Sequence, residues 1–295
     1  MNSCCTIPQV SSRVTRSLLA LAVASGCAAA WAGGTRLDSE LSLERDSNPA
    51  RAEAGEGVPG EFIQGATVRI ARSQLIDERS GWVLHGQGSV HHHDRFHGLD
   101  ELDAAVGGEY RIQPVVGYTA PWYEVGASLE RSVRASSTIR NVTRAVASVS
   151  TGVNFTDRIF GSAGLRLTRA WADSGSVADQ HERALDLEGN YRLWGAASAY
   201  LRGTLARGDQ LFSSSATSDH GTNGIDAEAL DPAFGPGFEA YRSRASTHVV
   251  EAGALVPAGP RQSWTLWGRA VHSASVTGAV YDTRQVGISW RLLMQ

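Results

Sequence analysis

Side chains that could ligate a metal ion gather in one short stretch of this 295-residue chain. His91, His92, His93 and Asp94 are consecutive, and His97 follows three residues later. In an extended strand His91 and His93 would share one face, and imidazole suits transition metals, so a metal site is geometrically feasible. Consecutive histidines on one loop more often form an adventitious exposed site, and we therefore predict no functional metal ion.

The sequence gives little indication of a catalytic nucleophile. The sequence contains no Gly-Lys-Ser/Thr phosphate loop, no Gly-x-Ser-x-Gly and no His-Glu-x-x-His. Ser89 and His91 lie two residues apart, which would put both on one face of a strand, but no Asn partner is evident beside them. His272 is followed two places on by Ala274 rather than by a serine. We predict no catalytic residue and no cofactor.

The charge composition argues against nucleic acid as a partner. All 27 basic residues are arginine, and the 30 acidic residues bring the formal net charge to −3. A dedicated nucleic-acid binder needs a clustered basic excess to neutralise phosphates, which this balance does not supply. The apolar fraction of 42% is too high for a disordered chain. We expect a folded protein that does not bind nucleic acid.

The first 32 residues have the pattern of a cleaved signal peptide. Arg13 and Arg16 precede the apolar run 17–24, and the small-residue exit 30–32 ends before Gly33. The apolar run is shorter than the roughly 20 residues that a membrane-spanning helix needs. The pattern therefore predicts export and a mature chain of residues 33–295.

The cysteines all belong to this presequence. Cys4, Cys5 and Cys27 precede the predicted cleavage after Ala32, so the mature chain has no disulfide and no thiolate site. Residues 24–27 also resemble a lipoprotein signal, although the first of them is Ala where Leu or Val is usual. A lipid-anchored form is the alternative to simple cleavage.

The rest of the chain alternates apolar and polar residues in runs of about ten. Leu185, Leu187 and Tyr191 share one face of such a run, whereas Asp186 and Glu188 share the other. Period-2 alternation indicates two-sided β-strands, and tilted strands of ~9–11 residues can cross a bilayer. We predict twelve strands, at about 37–46, 62–75, 81–92, 102–113, 121–133, 142–155, 159–171, 183–194, 198–212, 245–256, 262–273 and 280–292. Two packed soluble sandwiches are the alternative, but their strands usually have only about 5–6 residues.

The connections between these runs fall into two length classes. Counted from the first strand, the odd connections are mostly long, and the longest covers about 213–244, whereas the even ones are mostly short. Bacterial barrels have short periplasmic turns and longer outer loops, and an even strand number puts both termini on the periplasmic side. We predict that the loop 213–244 is a solvated external flap. Inward folding as a constriction or a cation site is the alternative.

Aromatic residues follow the short turns. Amphipathic rings are favoured at membrane–water interfaces, so rings near one class of turn indicate an interface belt. The predicted periplasmic belt consists of Trp82, Trp122, Tyr123, Phe155, Phe160, Trp194, Tyr200, Trp264 and Trp290. A sparser outer ring would contain Phe62, Phe96, Trp171, Phe212 and Tyr281.

In architecture, residues 33–295 resemble Gram-negative outer-membrane β-barrels. The export signal, the alternating strands, the aromatic belt and a C-terminal strand carry the resemblance, and only helices or closed barrels can span a membrane. Asp46-Ser47-Asn48-Pro49 resembles a turn found after the first strand of several such barrels. The last strand of these barrels usually ends on Phe or Trp, whereas here residues 293–295 run on past Trp290 and Leu292.

The resemblance implies an all-β fold with a single transmembrane antiparallel up-and-down barrel of about 12 strands, with 10–14 as the range. It implies a location in the bacterial outer membrane, in contact with outer-membrane lipids and lipopolysaccharide. It also implies that barrel-assembly machinery and periplasmic chaperones act during biogenesis. The oligomeric state stays open.

Charged residues predicted to face the lumen are balanced in sign. The arginines are Arg69, Arg111, Arg144, Arg166, Arg192, Arg202, Arg269 and Arg291, and the carboxylates are Glu40, Glu44, Glu109, Glu124, Glu130, Asp186, Glu188 and Glu251. Arginine and carboxylate groups pair by bidentate bonds and can form a network in a narrow interior. Six inward glycines, at 107, 126, 152, 164, 253 and 287, leave room for solute or for a loop.

The expected function is a narrow pore or passive conduit for small polar solutes. A twelve-strand barrel lies between small barrels filled by side chains and open porins of 16–18 strands. A channel for acidic sugars should have a net basic lumen, so the balance does not support anion selectivity. The alternatives are a structural or adhesive surface barrel with a plugged lumen and, third, an outer-membrane lipid hydrolase that uses Ser89.

Overall fold

A computed structural model describes residues 34–52, 58–215, 225–235 and 237–294. The predicted signal peptide, residues 1–32, lies outside the described residues. The alternating runs form antiparallel strands, which are Thr35–Asp46 (β1), Glu61–Leu75 (β2), Ser80–His93 (β3), Glu101–Ile112 (β4), Trp122–Arg134 (β5), Val142–Asn154 (β6), Ile159–Ala172 (β7), Gln180–Arg192 (β8), Ser198–Ser215 (β9), Ile225–Leu230 (β10), Phe238–Gly259 (β11), Gln262–Ser275 (β12) and Val280–Leu293 (β13). Of the described helices, none is long and apolar enough to cross a membrane.

All of these strands except β10 close into a twelve-strand barrel. Each strand from β1 to β8 pairs with the next one along the chain, β9 pairs with β11, and β12 pairs with both β11 and β13. The ring closes between β1 and β13, where Leu41 lies opposite Trp290. The predicted up-and-down antiparallel barrel is therefore confirmed.

Strand β10 is an addition that the sequence did not predict. It pairs with the first residues of β11, and Leu230 lies opposite Glu239. Strand β9 continues to Ser215 and β11 already begins at Phe238, so both strands extend into the predicted loop 213–244. Backbone groups near a barrel mouth need hydrogen-bond partners, and continued pairing supplies them.

The two faces of the wall differ as the alternation predicts. Leu41, Leu187 and Leu266 are 55%, 46% and 64% exposed on the outside of the ring. Their strand neighbours, among them Glu40, Ser42, Asp186 and Thr265, carry carboxylate or hydroxyl groups toward the inside. An exposed apolar surface this extensive on every strand is suited to lipid rather than to water.

The two ends of the barrel are built differently. At one end, here called the turn end, the connections 76–79, 155–158 and 260–261 are short. The other end, here called the loop end, carries the three 3₁₀ turns of the described chain, which are His97–Leu99, Thr138–Arg140 and Pro232–Phe234. Long connections such as 47–60 and 173–179 belong to the loop end as well, whereas the connection 113–121 is a long one at the turn end.

Candidate functional site

Ion pairs between neighbouring strands line the inside of the barrel. Most of the sixteen charged residues predicted for the lumen take part. Arg69 Nη1 lies 2.7 Å from Glu40 Oε2, and Arg144 Nη1 lies 2.6 Å from Glu130 Oε1. The same kind of pair joins Arg111 to Glu124 at 2.7 Å, Arg166 to Asp186 at 3.0 Å and Arg202 to Glu188 at 2.9 Å.

Glu251 of β11 connects two of these pairs. Its carboxylate lies 3.4 Å from Arg202 on β9 and accepts a hydrogen bond of 2.8 Å from Arg269 Nε on β12. The three residues are direct neighbours in the strand register. The side chains therefore bond along the wall, from strand to strand, rather than across the lumen.

Three of the sixteen residues do not join this network. Within the described ranges, Glu44, Glu109 and Arg192 have no oppositely charged group within 4.0 Å. Arg291 joins the network through Asp38, an inward residue of β1 outside the predicted set, which lies 2.7 Å from Arg291 and 3.6 Å from Arg69.

Other inward charges were missed because the strands are longer than predicted. Glu61, Glu101, Arg134 and Glu182 each lie one residue beyond a predicted strand end, on the lumen face. Arg134 pairs with Glu101 at 2.7 Å, and Arg166 lies 3.3 Å from Glu182. Continuing the alternation by one residue would have found all four. The lumen therefore holds more carboxylates than the sequence count of eight.

A cavity of about 630 Å³ lies inside the barrel in the half nearer the loop end. Its walls include the charged residues Glu44, Asp46, Glu101, Arg166, Glu182, Arg202, Glu251 and Arg269. Asn48, Pro49 and Arg51, from the connection after β1, also line it. The cavity is thus polar on its walls and is bounded by a loop at the loop end.

The segment after β10 forms a cap that reaches across the loop end. The cap consists of Asp231 and the 3₁₀ turn Pro232–Phe234. Asp231 is 1% exposed and its carboxylate accepts bonds from Arg140 Nε at 2.8 Å and from Ser137 Oγ at 3.0 Å. Burial lowers the pKa of Arg140, and the neighbouring Asp231 carboxylate opposes that shift. The carboxylate of Asp231 is occupied by the guanidinium, so it is not free to ligate a cation.

Apolar contacts hold the other side of the cap. Ala233 and Phe234 form a buried cluster with Leu99 and with Ala50 and Ala52 of the β1–β2 connection. Gly98 fits closely here, because a Cβ at that position would lie 2.6 Å from the Cα of Ala233. The prediction of a solvated flap is therefore wrong for this segment, since it buries apolar and ionic groups. Asp219, His220 and Asn223 of the same loop lie outside the described residues.

Three of the nine predicted belt aromatics point into the lumen instead. Trp122, Phe160 and Tyr200 share the inward face with Glu124, Arg166 and Arg202, and the rings of Trp122 and Phe160 stack at 6.4 Å. A ring on the inward face cannot lie at a membrane interface. The belt assignment of these three residues is therefore wrong.

The remaining six belt residues lie on the outside or in the turns. Tyr123 and Trp264 are 47% and 46% exposed on the outer face, and Trp82 and Trp290 share that face with Tyr110 and Trp264. Phe155 and Trp194 lie in exposed turns. Of the sparser outer ring, Phe212 and Tyr281 are buried against Tyr241 inside the loop end, and Phe96 packs on the cap.

The inward rings fill the space above three of the predicted lumen glycines. Trp122 lies opposite Gly152, Tyr200 opposite Gly253 and Trp267 opposite Gly287. A Cβ on Gly152 or Gly287 would lie 2.5 Å from the facing ring, and one on Gly253 would lie 2.6 Å away. The room that these glycines leave is therefore used by protein side chains rather than by solute.

Arginines of the wall lie over these same rings. The guanidinium carbons of Arg111, Arg202 and Arg269 are 4.3, 4.6 and 5.1 Å from the ring centres of Trp122, Tyr200 and Trp267. Cation–π contacts of this geometry fix the arginine side chains. Each arginine is thus held both by a carboxylate and by an aromatic ring.

The histidine cluster divides between two environments. His93 Nδ1 bonds the buried Glu61 at 2.7 Å inside the barrel. His92, His97 and Asp100 lie together at the loop end, with potential ligand atoms within 4.8 Å of one another. His92 Nδ1 lies 3.1 Å from Asp100 Oδ2, and its ring stacks on that of His97 at 5.3 Å. These three are the residue types that could share a metal ion, but His92 already bonds Asp100 and stacks on His97.

Ser89 does not meet a histidine base. It is 3% exposed on the lumen side, and its hydroxyl donates to Asp103 Oδ2 at 3.3 Å. His91 Nε2 lies 3.8 Å from the same aspartate. In the part of the chain that the structure describes, Ser89 has no hydrogen bond to a histidine ring. The serine is therefore neither activated as a nucleophile nor open to lipid on the outer face.

Comparison with known proteins finds likeness in structure alone. No family model matches the sequence, and no curated protein matches it. An outer-membrane channel from Pseudomonas putida F1 superimposes with a TM-score of 0.59 at 9% identity, covering 90% of this chain and 97% of that one. The NanC porin gives 0.43 at 10% identity, covering 85% and 98%, and an anion-selective porin from Comamonas acidovorans gives 0.41 at 8%, covering 88% and 99%. The first likeness shows a shared barrel fold, whereas the TM-scores of the other two are too low to show one.

Proposed function

We propose that this chain is an outer-membrane β-barrel that acts as a narrow conduit for small polar solutes, with ion-paired walls and a cap at its outer mouth. The polar cavity of about 630 Å³ inside the ring carries the proposal. Charged side chains bond along the wall, so they line this space without filling it. The shared fold with a protein described as an outer-membrane channel supports the same function and the same location.

The cap sets how the conduit would open. It crosses from the β10–β11 side to residues 137–140 and to Leu99 on the opposite wall. It also packs on Ala50 and Ala52, which are sequence neighbours of the cavity-lining Pro49 and Arg51. Passage of solute requires this contact to separate, at least in part. We therefore infer low flux in the capped state and higher flux when the Asp231–Arg140 pair is broken.

A proteoliposome swelling assay tests this function. Vesicles containing the folded barrel are mixed with isotonic glycine, a neutral pentose or a neutral disaccharide, and the swelling rate is compared with that of empty vesicles. The proposal expects faster entry of glycine and pentose than of disaccharide. Swelling no faster than that of empty vesicles, with a barrel shown to be folded by heat-modifiable migration, would contradict it and favour a plugged structural barrel.

The proposal also includes weak charge selectivity, because positive and negative side chains in the lumen are nearly equal in number. Five carboxylates and four arginines are among the residues that line the cavity. Near-equal numbers give weak selection between small anions and cations, because neither sign dominates the field along the path. Glycine, a zwitterion, should therefore enter about as readily as a neutral solute of similar size.

A further inference from the structure

A second feature lies on the outside of the barrel, where four arginines line one groove. Arg169 of β7, Arg183 of β8, Arg207 of β9 and Arg244 of β11 are on the outward face near the loop end. We call this the basic groove. Arg183 and Arg207 are direct cross-strand neighbours. The groove occupies one side of the barrel only.

The basic groove has little negative charge of its own. Directly opposed like charges destabilise a sheet, unless a third group neutralises them. Within the described ranges, neither Arg183 nor Arg207 has a carboxylate within 4.0 Å, whereas most inward arginines are paired. Asp209 is the one acidic side chain on the outward face of the groove, beside His181. Four guanidinium groups thus face the surroundings with a single carboxylate among them.

The groove adjoins the apolar band directly. Leu165, Leu185 and Leu205 lie side by side in register on β7, β8 and β9. One outward position further toward the loop end, β8 and β9 carry Arg183 and Arg207. Arg183 and Arg207 therefore lie at the edge of this leucine row, which is where the headgroups of a surrounding lipid layer would meet its acyl chains.

The groove is also large and partly apolar. Its volume is about 1330 Å³, and Ala127, Ala145, Ala147, Leu167 and Val276 line it beside the arginines. Small apolar side chains leave room for a chain of methylene groups, and guanidinium groups bind phosphate by bidentate bonds. The lining thus has separate parts for an anionic group and for a hydrocarbon.

We propose that the basic groove binds a phosphorylated glycolipid of the outer leaflet, with its phosphates on Arg183, Arg207 and their neighbours and its acyl chains on the leucine row. Free phosphate would leave the apolar part of the groove without a ligand. The basic groove lies at the edge of the apolar band, and this position suits a membrane lipid, whose charged headgroup stays at the membrane surface. The inference depends on the barrel spanning the membrane and not on its conducting solute.

Native mass spectrometry with lipid A as the probe tests the proposal. The folded barrel in a neutral detergent is titrated with lipid A, with phosphatidylcholine or with inorganic phosphate, and bound ligand is counted. The test variant is Arg183→Gln with Arg207→Gln. The control variant is Arg45→Gln, since Arg45 follows Leu43 on the outer face of β1, away from the groove.

The proposal expects saturable binding of lipid A to the wild type, affinity reduced roughly tenfold or more in the double variant, and little change in the control. Higher salt should weaken the wild-type binding, because screening reduces attraction between exposed charges. Equal lipid A binding by wild type and double variant would overturn it. So would equal binding of phosphatidylcholine, or full displacement of lipid A by equimolar inorganic phosphate.

The measurement stays decisive if the double variant does not fold. Arg207→Gln alone then replaces it, and the salt and competitor titrations use the wild type only. Conductance or swelling of the double variant separates this inference from the proposed function. For the double variant we expect lost lipid A binding and unchanged solute flux. Because the two properties are measured separately, a negative result for one does not affect the conclusion about the other.

Discussion

Asp231 is the single side chain on which the cap depends most. It is buried and bonds both Arg140 and Ser137. Removing one partner of a buried ion pair leaves the other charge without compensation, at a cost of about 3–5 kcal/mol. Replacement Asp231→Asn should therefore loosen the cap without unfolding the barrel, whose strands pair independently of it.

Hydrogen–deuterium exchange measures this effect directly. In Asp231→Asn we expect faster amide exchange at 97–99, 137–141 and 231–234, and unchanged exchange in β1 to β8. Asp173→Asn is the matched control, because Asp173 pairs with Arg131 at an exposed position outside the cap. Identical exchange in wild type and Asp231→Asn would show that the ion pair does not hold the cap.

A second prediction at the scale of single residues concerns Gly287. A Cβ there would lie 2.5 Å from the Trp267 ring, which itself carries Arg269. Gly287→Ala should displace the ring and lower the free energy of unfolding by about 1–3 kcal/mol, as overpacking does. Urea unfolding followed by tryptophan fluorescence measures it. Gly189→Ala, with nothing within 4 Å of the added Cβ, should have a smaller effect, and equal effects would contradict the account.

The direction of Trp122 could have been predicted from the sequence. It lies two residues before Glu124, and a period of two puts both on the lumen face. Proximity to a turn predicts an outward ring, but the ring of Trp122 follows the alternation of its strand. The fit of Trp122 onto Gly152 could not have been predicted in the same way, because it depends on the register between β5 and β6.

At the scale of strands, β8 offers a matched pair of neighbouring residues. Leu187 is 46% exposed on the outer face, whereas Asp186 bonds Arg166 inside. Leu187→Arg should impair membrane assembly, at a cost of roughly 2–4 kcal/mol if the residue lies near the bilayer midplane. Asp186→Asn keeps the shape of an inward side chain and should still assemble. Heat-modifiable migration after refolding into vesicles measures both, and equal damage would mean that the faces are reversed.

The strands themselves could be predicted from the sequence, but the cap could not. Alternation is local, so each of the twelve predicted runs corresponds to a strand. The ends are shifted by up to three residues, except that β11 begins seven residues before its predicted start. The cap takes its partners from Ala50, Leu99 and Arg140, which belong to three other connections. No periodicity marks such contacts, and a Gly- and Ser-rich loop is typical of a solvated segment.

Across the whole molecule, the two ends of the lumen are closed to different degrees. At the loop end, buried ionic and apolar contacts hold the cap across the mouth. Toward the turn end, the rings of Trp122, Tyr200 and Trp267 pack over glycines of the neighbouring strands, and arginine side chains lie over these rings. Together these side chains narrow the lumen. The cavity lies between these two features, and we propose that the cap is the part that moves.

Single-channel conductance in planar bilayers tests that account most directly. Wild type, Asp231→Asn and Asp173→Asn would be compared in the same salt, each after heat-modifiable migration has shown a folded barrel. We predict small steady steps for wild type and for Asp173→Asn, and larger or longer openings for Asp231→Asn. Silence of all three folded proteins would contradict the conduit, and equal steps in all three would contradict a gating role for the cap.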